Sequence, residues 1–162
     1  MTYSLARIGM EAEAEVLDTR AEVSEAAFVT EGGRPDTEER RDYFVERDGL
    51  RFAGTHLILD LWGAERLDDE AFVRAVLERC VEVAGATLLH VHLHKFTPNG
   101  GLSGVAVLAE SHISVHTWPE RGFAAFDIFM CGRADPHRCI PVLREAFRPR
   151  HMTVAEQLRG IF

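Results

Sequence analysis

Lysine is almost missing from this chain: Lys95 is the only one. Any enzyme that holds a cofactor as a lysine imine would have to use that position. No glycine loop of the phosphate-cradling type accompanies it, since the glycines of PNGGLSG (Pro98 to Gly104) match neither GxGxxG nor the P-loop pattern. Cysteine is scarce as well. Cys80, Cys131 and Cys139 cannot all pair and none lies in a CxxC arrangement, so neither a disulfide frame nor a zinc ribbon is indicated and at least one thiol is free. Clustered cations are also lacking. With a formal charge of -8, the chain is a poor match for nucleic acid or an anionic membrane. No apolar run approaches the length that crosses a bilayer, and MTYSLARIGMEAEAE has neither the basic start nor the apolar stretch of a secretory signal. A cytoplasmic protein is expected.

At 162 residues and 46% hydrophobic, the chain can bury one real core but is short for two full domains. The acidic excess is concentrated in residues 1–50, with 13 acidic against 6 basic side chains and a turn-prone GGRPD. These residues read as an N-terminal extension, followed by a compact domain over 51–162. Thr55 to Trp62 is a short apolar run of strand length. Asp68 and Asp69 then signal a helix start. Phe72, Val73, Val76, Leu77, Cys80 and Val81 fall on one helical face, and Gly85 closes the segment. Ala86 to Phe96 alternates with period two, placing Leu89, Val91 and Leu93 opposite His90, His92 and His94. The stretch from Gly101 to Trp118 reads as one strand running through Ser111, and Phe123 to Gly132 as its hairpin neighbour. A second helix over roughly 136–147 and a last strand near 151–158 complete a β-α-β-β-β-α-β order. The fold class expected is α+β, a two-layer sandwich with a mostly antiparallel sheet and both helices on one face. A homodimer packed sheet against sheet would cover the other face.

Same-face strand histidines such as His90, His92 and His94 can ligate a metal, but no carboxylate motif or second ligand cluster accompanies them, and no metal is assigned. The harder stretch is LAESHISVHTWPE, Leu108 to Glu120. It sets two carboxylates, two serines, two histidines and a threonine in and beside an apolar strand, where each unpartnered polar group costs about 1–3 kcal/mol.

The segment AESHISVHTWPERGFAAFDIFMCG, Ala109 to Gly132, closely resembles the self-processing site of prokaryotic S-adenosylmethionine decarboxylase proenzymes. GTHLILDLWGA and HKFTPNGGLSG extend the likeness over about residues 52–158. Residues 1–50 lie outside it, and the PNGG turn is one residue longer than in some members. Decarboxylation of an amino acid leaves a carbanion, which needs an electron sink that no standard side chain offers. The resemblance implies that Ser111 becomes that sink, a pyruvoyl group, through cleavage of the Glu110-Ser111 bond into chains 1–110 and 111–162. It implies further that His116 is a base from the same segment, assisted by Ser103, and that Cys131 returns a proton to the substrate carbon. Phe96 and His116 would sandwich the adenine of S-adenosylmethionine, and Glu120 would accept its ribose hydroxyls. The product expected is the aminopropyl donor for spermidine synthesis. The same cofactor acting on ornithine or arginine is the competing activity; retention of Phe96 and Glu120 favours the adenosyl substrate. A non-catalytic subunit would have lost Ser111, His116 or Cys131, and this chain has all three.

Overall fold

The computed structural model describes residues 44–47 and 49–161. Most of the expected acidic extension therefore lies outside the described residues. The first elements are a short antiparallel pair, β1 (Val45–Arg47) and β2 (Leu50–Phe52), which runs across the expected boundary at residue 50. Phe52 is buried, and Arg47 pairs with Glu156 at 2.9 Å.

The rest is a β-α-β-β-β-β-α-β chain: β3 (Gly54–Trp62), α1 (Glu70–Ala84), β4 (Leu88–Lys95), β5 (Leu102–Leu108), β6 (Ser111–Trp118), β7 (Phe123–Cys131), α2 (Cys139–Phe147) and β8 (His151–Arg159). Six of these strands form one antiparallel sheet in the order β4-β5-β6-β7-β3-β8. Period-two alternation decides which face is buried. Leu57, Leu59 and Leu61 of β3, Ile113 and Val115 of β6, and Phe126, Ile128 and Met130 of β7 share one core with both helices. In α1 the contribution comes from Val73, Val76, Leu77, Cys80, Val81 and Ala84, spaced by three and four residues. Asp69 caps this helix by accepting the Phe72 amide at 3.0 Å, and Gly85 ends it in the left-handed region.

One expectation is corrected. The Gly101 to Trp118 stretch is two strands, because the chain reverses at Ala109 and Glu110. The ladder closes on the pair Leu108↔Ser111, leaving a two-residue hairpin turn, and Glu110 takes a positive φ of 60°. Such turns usually carry Gly or Asn. An Ala-Glu turn leaves no compositional mark, and the run of alternating apolar residues hides the break.

The second sheet face has no helix over it. The cross-strand registers arrange it in three rows, numbered here from the Ser111 end. The first row is His90, Val107, His112, Phe129, His56 and Gln157. The second runs His92, Val105, Ser114, Asp127, Ile58 and Ala155. His94, Ser103, His116, Ala125, Asp60 and Thr153 make the third.

Candidate active site

Ser111 opens β6 directly after the hairpin turn and is 8% exposed. Its neighbour Cys131 closes β7, where Gly54 pairs with it from β3. A Cβ at Gly54 would lie 2.5 Å from the Met130 carbonyl, so this strand end requires glycine. The backbone N–H of Cys131 donates to Ser111 Oγ at 3.2 Å, and the Cys131 thiol donates to the carbonyl of Glu110 at 2.9 Å. The two side chains also approach each other, with Oγ to Sγ at 3.5 Å. Thus a hydroxyl nucleophile, the carbonyl preceding it and two donors converge on one peptide bond. Glu110, on the acyl side of that bond, sits in a conformation that costs a non-glycine residue about 1–3 kcal/mol.

A second cluster lies at the other end of the same strands. Ser103 and His116 are direct cross-strand partners, and their Oγ and Nδ1 share a 2.8 Å hydrogen bond. Trp118 is close to His116, with ring centroids 6.4 Å apart. It also begins an open aromatic stack, Trp118 on Phe123 at 5.3 Å and Phe123 on Trp62 at 4.3 Å. Glu120 follows in the 3-10 turn Pro119–Arg121, and Phe96, half exposed, leaves β4 at this end. The adenine and ribose residues expected from sequence, Phe96, His116 and Glu120, therefore lie at the same end of the sheet as Ser103.

The two clusters do not meet within one chain. His116 follows Ser111 by five strand residues, about 17 Å at the extended rise. Within one chain the extended strand holds His116, expected from sequence to act on Ser111, at this distance from it.

Between the clusters lies a polar group not picked out from sequence. Arg159 donates to His56 Nδ1 at 3.3 Å, leaving Nε2 as the protonated nitrogen. That Nε2 is buried without a hydrogen bond, although Asp127 Oδ1 is 3.4 Å away; the approach is an ion-pair distance with poor hydrogen-bond direction. Asp127 also accepts from Ser114 at 3.1 Å. His112, between Ser111 and this group, is held below the ordinary imidazole range, chiefly by burial and then by His56, with Asp127 opposing. Strand alternation applied to Thr55 to Trp62, read above only as an apolar run of strand length, is the signal that could have found it, since it places His56 and Asp60 on one face.

A model of the S-adenosylmethionine decarboxylase family matches residues 55–160. The chain belongs to this family. It is 50% identical over 115 residues to an S-adenosylmethionine decarboxylase proenzyme of Methanococcus vannielii, covering 69% of this chain and 93% of that one. A proenzyme of the same name from Thermomicrobium roseum is 42% identical over 113 residues, covering 69% and 97%. Among solved structures, the adenosylmethionine decarboxylase of Aquifex aeolicus VF5 aligns with a TM-score of 0.60 and 34% identity, over 68% of this chain and 93% of that one. As a member of the S-adenosylmethionine decarboxylase family, the chain is a decarboxylase of α+β fold. Among the described residues no helix is long and apolar enough to cross a membrane.

Proposed function

We propose that the chain cuts itself between Glu110 and Ser111, and that the processed protein decarboxylates S-adenosylmethionine to an aminopropyl donor for spermidine synthesis in the cytoplasm. The observation that carries this reading is the Cys131 thiol on the Glu110 carbonyl, 2.9 Å away, with Ser111 Oγ alongside.

A base takes the hydroxyl proton as Ser111 Oγ bonds to the Glu110 carbonyl carbon. Charge develops on the carbonyl oxygen, where the Cys131 thiol already donates. Collapse breaks the C–N bond and leaves an ester with a free amine on residue 111. Loss of the α-proton then expels the Glu110 carboxylate as the Cβ–O bond breaks. The resulting enamine tautomerises, takes up water and releases ammonia, leaving a ketone at the start of chain 111–162. Both strand ends that hold this bond stay in the sheet.

A pyruvoyl group there would supply the electron sink for loss of CO2 from the substrate. Cys131 is placed to hand a proton back at the same locus. For the substrate, Phe96 and His116 offer ring faces to adenine, worth roughly 1–3 kcal/mol per stacked base. Glu120 accepts the ribose hydroxyls through charge-assisted hydrogen bonds.

Of these residues, His116 stands about 17 Å from Ser111 along the same strand. We propose that a homodimer closes the gap. A two-fold axis through the Ser114 and Asp127 row lays the third row of one sheet over the first row of the other, which brings His116 of the partner subunit to the strand end where Ser111 and Cys131 lie, across sheets about 10 Å apart.

The test offers S-adenosylmethionine, ornithine and arginine together to processed wild type, with intact mass confirming the two chains. Carbon dioxide is expected from S-adenosylmethionine alone, and use only of ornithine or arginine would overturn the substrate assignment. Uncut yet fully active protein would overturn the pyruvoyl.

A further inference from the structure

We propose that Cys80 and Cys139 are a redox-sensitive pair whose disulfide ties together the two chains that a cut after Glu110 leaves. The bond itself rests on the fold alone, whereas the tie between separate chains rests on the cleavage proposed above. Cys80 lies within α1 and Cys139 is the first residue of α2, on either side of residue 110. Both are fully buried, and both are free thiols. Neither belongs to the site around Ser111. They sit in the core shared with the helices, away from the sheet face assigned to the dimer.

Hydrogen bonds between the two segments bring the pair together. Asp135 donates its backbone N–H to the Ala84 carbonyl at 3.0 Å, Arg138 reaches the Val83 carbonyl at 3.5 Å, and the Cys139 thiol donates to the carbonyl of Cys80 itself at 3.5 Å. The segment leading into α2 is thus pinned to the C-terminal half of α1, which sets Cys139 against Cys80. A hydrogen bond with Cys139, and then burial, push the Cys80 thiol above the ordinary thiol range. In the closed structure this sulfur is protonated and a poor nucleophile. Reaction therefore starts in a local opening, and α2, nine residues long, is the smaller element to open.

The oxidant is a small-molecule disulfide. One cysteine thiolate exposed by the opening attacks it, forms a mixed disulfide and expels a thiolate; the second cysteine then attacks the protein sulfur of that bond and expels the other. The protein gives up two protons and two electrons, and the oxidant leaves as two thiols. In a reducing compartment the pair rests as thiols, so the bond responds to a rise in oxidant.

The experiment treats processed protein with hydroxyethyl disulfide in urea below the unfolding midpoint, quenches by alkylation, and runs denaturing gels without reductant. The two chains should travel as one band and part when reductant is added. Cys80→Ala and Cys139→Ala should each leave the chains separate, with melting curves confirming that both fold. In whole Ser111→Ala, peptide mass mapping should find Cys80 joined to Cys139, whether or not wild type cuts itself. Wild type that never divides overturns the cleavage reading and the tie with it, while Ser111→Ala still decides the bond. Absence of that linked peptide overturns the pair, as does a bond that uses Cys131 or one that forms only past the midpoint, where an unfolded chain can join any two cysteines.

Discussion

Two inactive chains should repair each other. Ser111→Ala removes the nucleophile, and His116→Ala removes the base assigned to it. Five strand residues separate the two positions, about 17 Å, against a hydrogen-bond reach of about 3 Å. If His116 acts across a two-fold interface, a mixed dimer has one site with both groups and one site with neither. Equal co-expression with random pairing gives about half mixed dimers, so about half of the His116→Ala chains, roughly a quarter of all chains, should be cut at Glu110-Ser111. Intact mass distinguishes the cut chain, since only the His116→Ala copy can yield residues 111–162 with a blocked start. Each variant expressed alone should stay whole. The reasoning fails if co-expression yields no cut chain although the mixed dimer forms, or if His116→Ala processes by itself at the wild-type rate.

Cys131→Ala should slow self-cleavage by about a hundredfold, the lower end for loss of one donor to a developing oxyanion, because a thiol donates weakly. Conversion of purified precursor, timed by mass, decides it, and an unchanged rate would remove the thiol from the scission step. Gly104→Ala should cost about 1–3 kcal/mol as an overpacked site, since the added Cβ would sit 2.3 Å from the His92 carbonyl. A melting temperature equal to wild type would show that β4 and β5 have slack at that point. Stability should also fall on acidification. The unfolded chain protonates residue 112 near the ordinary imidazole value of about 6.5, whereas folded His112, facing His56 and Asp127, takes its proton only at lower pH. Below about 6.5 the unfolded state therefore binds more protons, and His112→Asn should flatten the melting-temperature loss between about pH 7 and 5.5. An identical slope in the variant would exclude His112 as its source.

Periodicity made the fold readable where one face of an element is buried. Asp69, the three-four spacing from Val73 to Ala84, and Gly85 delimit α1 because caps and faces are local properties. The β4 histidines were placed on the open face for the same reason. The turn at Ala109 and Glu110 was not readable, since it rests on a non-glycine residue held at positive φ by the strands around it. Nor was pairing order, which depends on contacts distant in sequence. At the site, chemistry was legible and distance was not. The motif supplied Ser111, Cys131, Ser103 and His116, but it does not say which of them pair across strands, because that depends on the reversal at Ala109 and Glu110. Once the chain reverses there, Ser103 and His116 become direct partners and Ser111 is left at the far end.

The strand order also governs what a cut at residue 110 leaves behind. Chain 1–110 would own β3, β4 and β5, and chain 111–162 would own β6, β7 and β8. In the order β4-β5-β6-β7-β3-β8, β3 of the longer piece is gripped between β7 and β8 of the shorter, while β5 remains zipped to β6. The two polypeptides are woven together. Three ladders must open at once before they part, so scission severs a covalent bond without creating two separable proteins, and only denaturant should pull the halves apart.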